Sequence, residues 1–273
     1  MKKTLLTLIV VLTATTGSYA QLKKYNILNH LAVGLDVGTT GIGFDVAVPF
    51  TKYLEVEAGF SIMPKIKYNT TLHLNVSQYW DMSTGPQALN ISDIPIQGKL
   101  NMANGKVMFN VYPLAVLNSF HITVGAFIGK ESVVEIYNTQ DGQLMPVNQA
   151  NEVIDAYNEI ATANNLMPQE HIGLKLGDYL LTPDANGNAR ATLNTKSFKP
   201  YVGIGYGSAV PKRRLGFKVD LGAMFWGTPD VVDHNGVSLS KQDWGGKDGG
   251  AFRIINKIKV YPVLNFRLTG RIF

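Results

Sequence analysis

The chain has 273 residues with 16% charged residues, 27 glycines, no cysteine and a formal net charge of +5. The lack of cysteine excludes disulfides and a lipid-modified cysteine, and the small positive surplus, without a basic stripe, does not support nucleic-acid binding. Few charges, many glycines and 10% aromatic residues are typical of β-structure with a restricted polar surface.

Residues 1–20 predict a secretory signal peptide. Lys2 and Lys3 precede an apolar run at 5–12, and the small residue Ala20 ends the segment before Gln21. A positive start, a short apolar run and a small-residue site in this order are the layout of a cleaved leader. We expect cleavage between Ala20 and Gln21, and loss of the two lysines lowers the formal charge to +3.

Apolar residues alternate with small or polar residues in eight segments of the remaining chain, 21–273. This period of two is typical of strands with one apolar face. The segments lie at 31–37, 42–48, 54–60, 106–112, 120–129, 198–207, 215–226 and 257–272. Tight turns are predicted at 39–40 and 49–53.

The later connections alternate between short and long. Short ones lie at 49–53, 113–119 and 208–214, and long ones with few strand signals lie at 64–98, 131–197 and 227–255. Because antiparallel neighbours alternate in direction, the long loops are predicted at one end of the sheet, and loops of this length are uncommon unless they are functional. Loop aromatics such as Tyr68 and Trp80 could contact a ligand or pack the loops onto the rim.

A short helix is predicted in the longest loop. Val153, Tyr157 and Ile160, followed by Ala161, fall on one helical face between Pro146 and Pro168. This apolar face is too small to bury the core of a separate domain.

The phase of the alternation must be assigned to an inside and an outside. A soluble barrel of the lipocalin type would bury the apolar phase, whereas a membrane barrel turns it toward lipid. The other phase is rich in Gly and Ala, which suit the narrow interior of an eight-stranded barrel. The even strand number and the one-sided loops also match outer-membrane proteins. We therefore predict an all-β fold, an eight-stranded antiparallel transmembrane β-barrel in the cell outer membrane.

Charged residues of the second phase are predicted to form ion pairs in the lumen, because unpaired buried charges would cost several kcal/mol each. The candidates are Asp36, Asp45, Glu55, Glu57 and Asp220 with Lys218, Lys257, Lys259, Arg267 and Arg271.

Three segments carry a family resemblance: "KPYVGIGYGSAV" (199–210), "GFKVDLGAMFWGTPDV" (216–231) and "KVYPVLNFRLTGRIF" (259–273). They resemble small Gram-negative outer-membrane β-barrel proteins of the OmpA-like eight-stranded type, a family of largely uncharacterised function. The resemblance implies the barrel and its location, not an activity. Such strands usually end with a lipid-facing Phe, but Phe273 is in phase with Arg271, so either a bulge near Gly270 resets the phase or Phe273 makes no lipid contact.

The function predicted from the sequence is non-enzymatic, without cofactor or metal: an envelope-structural role or surface binding through the long loops. Expected partners are outer-membrane lipid, the barrel-assembly machinery and an extracellular glycan or protein, with a monomeric chain. Two alternatives stay open, a small conditional channel and an outer-membrane enzyme acting on lipid or peptide. In the enzyme His121 would be the general base; otherwise His121 fills the lumen and bonds a neighbour.

Overall fold

The structure is a computed structural model that describes residues 29–272 except 77, 92, 114–118, 177–178 and 239–257. The predicted signal peptide, with Ala20 and Gln21, lies outside the described residues, as do Lys257 and Phe273. Along the described chain the elements are β1 (Ala32–Gly38), β2 (Gly41–Thr51), β3 (Leu54–Ile62), β4 (Lys67–His73), β5 (Gln78–Asp81), β6 (Gly85–Ala88), β7 (Asp93–Leu100), β8 (Ala103–Val111), β9 (Phe120–Gly129), β10 (Ser132–Asn138), α1 (Met145–Ala163), β11 (Leu174–Leu176), β12 (Tyr179–Leu181), β13 (Arg190–Asn194), β14 (Phe198–Gly207), β15 (Leu215–Phe225), β16 (Asp230–Asp233) and β17 (Val260–Arg271).

Eight strands close into an antiparallel barrel in the order β1-β2-β3-β8-β9-β14-β15-β17 and back to β1. Each grows from one of the eight alternating segments, so the predicted barrel is confirmed. Closure pairs every barrel strand on both sides and leaves no open edge in the wall. The long loops and the tight turn at 39–40 lie at one end, the long-loop end, and the short connections lie at the other, the short-turn end.

The alternation separates an apolar exterior from a polar interior. On β1, Leu35 is 60% exposed whereas the neighbouring Asp36 is 2% exposed. Leu35 pairs with Leu268 on β17 and with Phe44 on β2, so the apolar phase runs continuously across neighbouring strands. The apolar residues therefore face outward, as predicted, because alternate side chains of a strand point to opposite faces.

A second sheet, here called the external sheet, rises from the long-loop end in the order β16-β13-β10-β7-β4. Its order repeats that of the barrel strands β15-β14-β9-β8-β3, and each external strand follows or precedes its counterpart within a few residues. Five of the eight barrel strands thus continue beyond the barrel. The expectation that the long loops contain few strands is wrong, because the barrel register aligns these short segments and their pairing does not need a strong pattern of their own.

Helix α1 packs on the external sheet and builds an apolar core outside the barrel. This core contains Leu144, Val147, Ile154, Ile94 and Ala191, all buried. Among the described residues, no helix is both long and apolar enough to cross a membrane.

The helix itself is confirmed, but its predicted apolar face is only partly right: Ala161 is buried as expected. Ile160 is 46% exposed, whereas Ile154 and Asn151 are buried. The Asn151 side chain donates to the Ile172 carbonyl at 2.8 Å and accepts from the Ile172 N–H at 2.7 Å. A polar residue therefore lies on the packing face, because it satisfies the backbone of the adjoining segment.

Replacing Ile154 by Ala should loosen the external sheet. The cavity left in the external core should cost about 2–4 kcal/mol, and amide protection in β7 and β10 should fall in hydrogen-exchange measurements. Ile160→Ala deletes the same atoms at an exposed site and should change stability by less than about 0.5 kcal/mol. Equal effects of the two substitutions would contradict this packing.

Candidate functional site

Glu55 binds the connection between β14 and β15 at the short-turn end of the lumen. Its carboxylate accepts hydrogen bonds from Tyr112 Oη at 2.5 Å, Ser208 Oγ at 2.6 Å and the Ala209 N–H at 2.8 Å. Ala209 and Val210 are buried and pack with Ala32 and Ala47 of the wall. The connection therefore folds into the barrel and blocks its mouth.

Lys106 on β8 lies at the centre of the lumen among three carboxylates. Its ammonium pairs with Asp36 and lies 3.0 Å from Asp45 Oδ2 and 3.4 Å from Glu57 Oε1. All four side chains are at least nine-tenths buried, so each charge depends on its partners for the solvation that water no longer supplies.

Arg267 on β17 joins this cluster to the blocked mouth. Its guanidinium donates to Asp45 Oδ1 through Nε at 2.8 Å and also through Nη2. The Nη1 group donates to the Ala209 carbonyl at 2.8 Å, and Thr269 Oγ1 donates to the same oxygen at 2.9 Å. The inward connection is thus held by its own backbone carbonyl as well as by Glu55.

Lys218 on β15, the strand next to β17, continues the chain of charges. Its ammonium lies 3.0 Å from Glu57 Oε2 and 2.9 Å from Asp220 Oδ2. Asp220 Oδ1 in turn lies 2.7 Å from His121 Nε2. Opposite charges therefore alternate without interruption from Arg267 to Asp220, which is hydrogen-bonded to His121. Among the described residues this network includes side chains from every barrel strand except β14.

Inward-facing glycines make room for these long side chains. A Cβ on Gly34 would lie 2.2 Å from Arg267 Nε, and one on Gly205 would lie 2.4 Å from His121 Nε2. These glycines belong to the lumen phase because a narrow barrel cannot hold a side chain at both positions.

An apolar layer closes the lumen toward the long-loop end. It contains Met102, Met108, Phe127 and Tyr201, which are buried together. Phe127 and Tyr201 meet edge to face with ring centroids 5.6 Å apart. Between this layer and the ionic cluster a cavity of about 20 Å³ remains, room for roughly one water molecule.

Most of the predicted ion-pair residues lie in the lumen. The structure places Asp36, Asp45, Glu57, Lys218, Asp220 and Arg267 in one network, and it places Glu55 beside the inward connection.

Two of the predicted residues do not join this network. Lys259 is exposed because it precedes Val260, where β17 begins, and so lies beyond the barrel wall. Arg271 is half-buried at the far end of β17, where its N–H donates to the Arg214 carbonyl, and the described residues give it no carboxylate partner.

The central cation was absent from the predicted set. Lys106 alternates with Val107 and Phe109 in the sequence, so its phase already placed it inside. Lys199 was also missed; it is buried and donates to Asn104 Oδ1 at 3.3 Å and to the Lys130 carbonyl at 3.2 Å. Only the register brings Asp36 and Glu57 to Lys106, because these residues are far apart in sequence.

Asp36, Asp45 and Glu57 have the composition of a divalent-cation site, with ligand oxygens within 4.8 Å of one another. Lys106 occupies the space between them and supplies the positive charge itself. Likewise, His121 and Asp220 have the spacing of a catalytic pair, but His121 is fully buried. These side chains fill the lumen and cross-link its strands.

Comparisons with known proteins give structural neighbours that include two Acinetobacter baumannii proteins. No protein-family model and no curated protein matches the chain. The crystal structure of Acinetobacter baumannii CarO matches at 16% identity over 90% of this chain and 99% of that chain, with a TM-score of 0.45. Acinetobacter baumannii CarO2 matches at 15% identity over 89% and 98%, also with a TM-score of 0.45. Neither a family nor the role of any residue follows from similarity at this level.

Lys106→Met should destabilise the barrel strongly. The three carboxylates would lose their common cation, and breaking a buried ion pair costs about 3–5 kcal/mol, measurable as a lower midpoint of urea unfolding in detergent. Lys67→Met, at an exposed site, is the matched control and should change stability by less than about 0.5 kcal/mol.

Adding Asp36→Asn to Lys106→Met should recover part of the lost stability, because one of the three carboxylates that lack a cation is replaced by a neutral amide. If Lys106→Met lost no more stability than the Lys67→Met control, the cluster would not stabilise the barrel.

Proposed function

We propose that the protein is an outer-membrane β-barrel that holds the external sheet at the cell surface for binding, without enzymatic activity and with a closed lumen. The observation that carries the proposal is the inverted polarity of the barrel. Its charged residues lie inside, while Leu35, Phe217 and Leu268 on the outside are each more than half exposed. A soluble protein rarely exposes a continuous apolar belt of this kind, whereas lipid requires one.

Aromatic residues support the membrane position at both rims of the belt. Tyr53 and Tyr206 are exposed at the short-turn end, and Phe198 and Phe225 are exposed at the long-loop end. Girdles of aromatic side chains at the two interfaces are typical of outer-membrane barrels. Six of the eight barrel strands have 9–11 residues, the length that spans a bilayer at the usual tilt.

The filled lumen argues against a channel. The inward connection, the ionic network and the apolar layer block it at three levels, and the space between them holds roughly one water. An ion crossing the barrel would have to break several mutually supporting ion pairs. A conditional channel would therefore need a rearrangement of the lumen itself.

The same filling supports a non-enzymatic role. His121 has Asp220 as partner, but a general base must reach the proton that it removes, and the His121 side chain is completely buried. In this proposal the barrel binds outer-membrane lipid, is inserted by the barrel-assembly machinery and acts as a monomer. The external sheet is the part available to an extracellular glycan or protein.

The membrane position is tested by fractionation and gel migration. The protein should be recovered in the outer-membrane fraction, and unboiled samples should migrate faster in sodium dodecyl sulfate gels than boiled samples, because a closed barrel resists the detergent until it is heated. Recovery in the soluble fraction would contradict the proposal.

The closed lumen is tested by reconstitution. Purified protein that shows the heat-dependent gel shift should produce no steady conductance in planar bilayers, and liposomes that contain it should not swell in small sugars. A reproducible unitary conductance would instead favour the conditional channel.

A further inference from the structure

Strand β4 forms a free edge of the external sheet. It pairs with β7 on one side. Among the described residues, a second segment meets its other side only at the far end, where β11 comes alongside His73 and Leu74 forms an isolated bridge with Leu174. The barrel explains this vacancy. Strand β4 continues from β3, and the neighbour of β3 in the wall is β2. The tight turn at 39–40 joins β1 directly to β2, so neither of these two strands extends beyond the barrel. No strand of the barrel therefore continues upward next to β4.

The register identifies the backbone groups that face away from β7. The Leu100 N–H donates to the Ile66 carbonyl at 3.1 Å, and Tyr68 pairs with Gly98 in the same ladder. Because antiparallel residues alternate between bonded and non-bonded pairs, the even-numbered residues bond to β7. The N–H and C=O groups that point outward belong to Lys67, Asn69, Thr71 and His73, all exposed residues. In the described part of the chain, those of Lys67, Asn69 and Thr71 are open to a partner, whereas His73 lies beside β11.

An apolar groove lies along one face of this edge. Its volume is about 430 Å³, and Tyr68 and Leu72 of β4 line it together with Ile96, Leu100 and Ile136. Tyr68 is 71% exposed. A strand added next to β4 would direct every second side chain to the groove side of the sheet.

We propose that this edge binds an extended segment of another polypeptide by strand addition. The segment pairs its backbone with the outward groups of β4 and places alternate apolar side chains at the groove. On the opposite face it carries an acidic residue near Lys67, which is exposed and has no ion-pair partner among the described residues. This names the class of partner for the surface binding proposed above and rests on it.

The free edge favours a polypeptide over two other occupants. An acyl chain would fill the groove but offers no hydrogen-bonding groups to Lys67, Asn69 and Thr71. A second copy in the same membrane would be related by rotation about the membrane normal. Its β4 would run in the same general direction with the opposite tilt, so the two strands would cross rather than pair, since barrel strands tilt by about 35–45°.

The test uses a fluorescent seven-residue peptide that alternates Val and Thr between terminal Glu residues, added to the purified full-length protein in detergent. Saturable binding by fluorescence anisotropy is expected. Thr71→Pro removes one outward N–H and leaves the ladder to β7 intact, so it should weaken binding about tenfold. Thr71→Ala keeps the N–H and should bind like the unaltered protein.

Two peptides methylated on alternate amides give an independent readout. Methylation of the amides that face β4 should abolish binding, and methylation of the other set should leave it unchanged. Equal binding of both peptides, equal affinity of Thr71→Pro and Thr71→Ala, or no saturable binding would overturn the proposal. Displacement by laurate with no difference between the methylated peptides would identify an acyl ligand instead.

The heat-dependent gel shift, recorded for every variant, shows that the barrel is folded in each binding experiment. Failure of the peptide to bind is therefore distinct from failure of the membrane-barrel proposal.

Discussion

The ammonium of Lys106 between three buried carboxylates is the interaction on which the barrel depends. Charges removed from water are tolerated only when partners surround them, and these partners come from β1, β2 and β3, with Lys106 itself on β8. They meet only when the sheet closes in one register. A slip of one residue on a strand would turn its charges toward the outside and its apolar residues into the lumen. The ion pairs therefore specify the register as well as the closure, and an isolated segment of the wall could not satisfy them.

The same network links the blocked lumen to the closed wall of the barrel. Asp45 holds Arg267, Arg267 holds the Ala209 carbonyl, and Glu55 holds the N–H of the same residue. The connection between β14 and β15 is thus bound from both sides by residues of other strands. Opening a path through the barrel would separate these ion pairs and leave buried charges without partners. This costs more free energy than moving an ordinary loop. The rigid, filled barrel is suited to act as a support for what lies above it.

The sequence was sufficient for the barrel because its strands are long and amphipathic. Over seven or more residues, the alternation around Asp36 or Arg267 is not easily mistaken for another pattern. It was insufficient for the external sheet, whose strands, such as Arg190–Asn194, are short and pair because the barrel register aligns them. The helix face was partly misassigned because Asn151 is polar yet packs inward to bond Ile172. The phase placed Lys106 inside, but no local pattern shows which acids it meets, because register joins residues distant in sequence.

The barrel strands extend to unequal heights at the long-loop end. Five strands continue beyond the barrel and two turn back at 39–40, so among the described residues the β4 margin of the external sheet has no neighbouring strand along most of its length. Each margin has one isolated bridge within the described chain, Leu74 to Leu174 beyond β4 and Val232 to Ser238 at β16. Natural sheets protect their edges with charges, short strands or covering segments. β4 has seven residues, and an apolar groove lies beside it. The first residues of β4, which lack a neighbouring strand on this margin, are therefore the described part of the external sheet with the least of this protection.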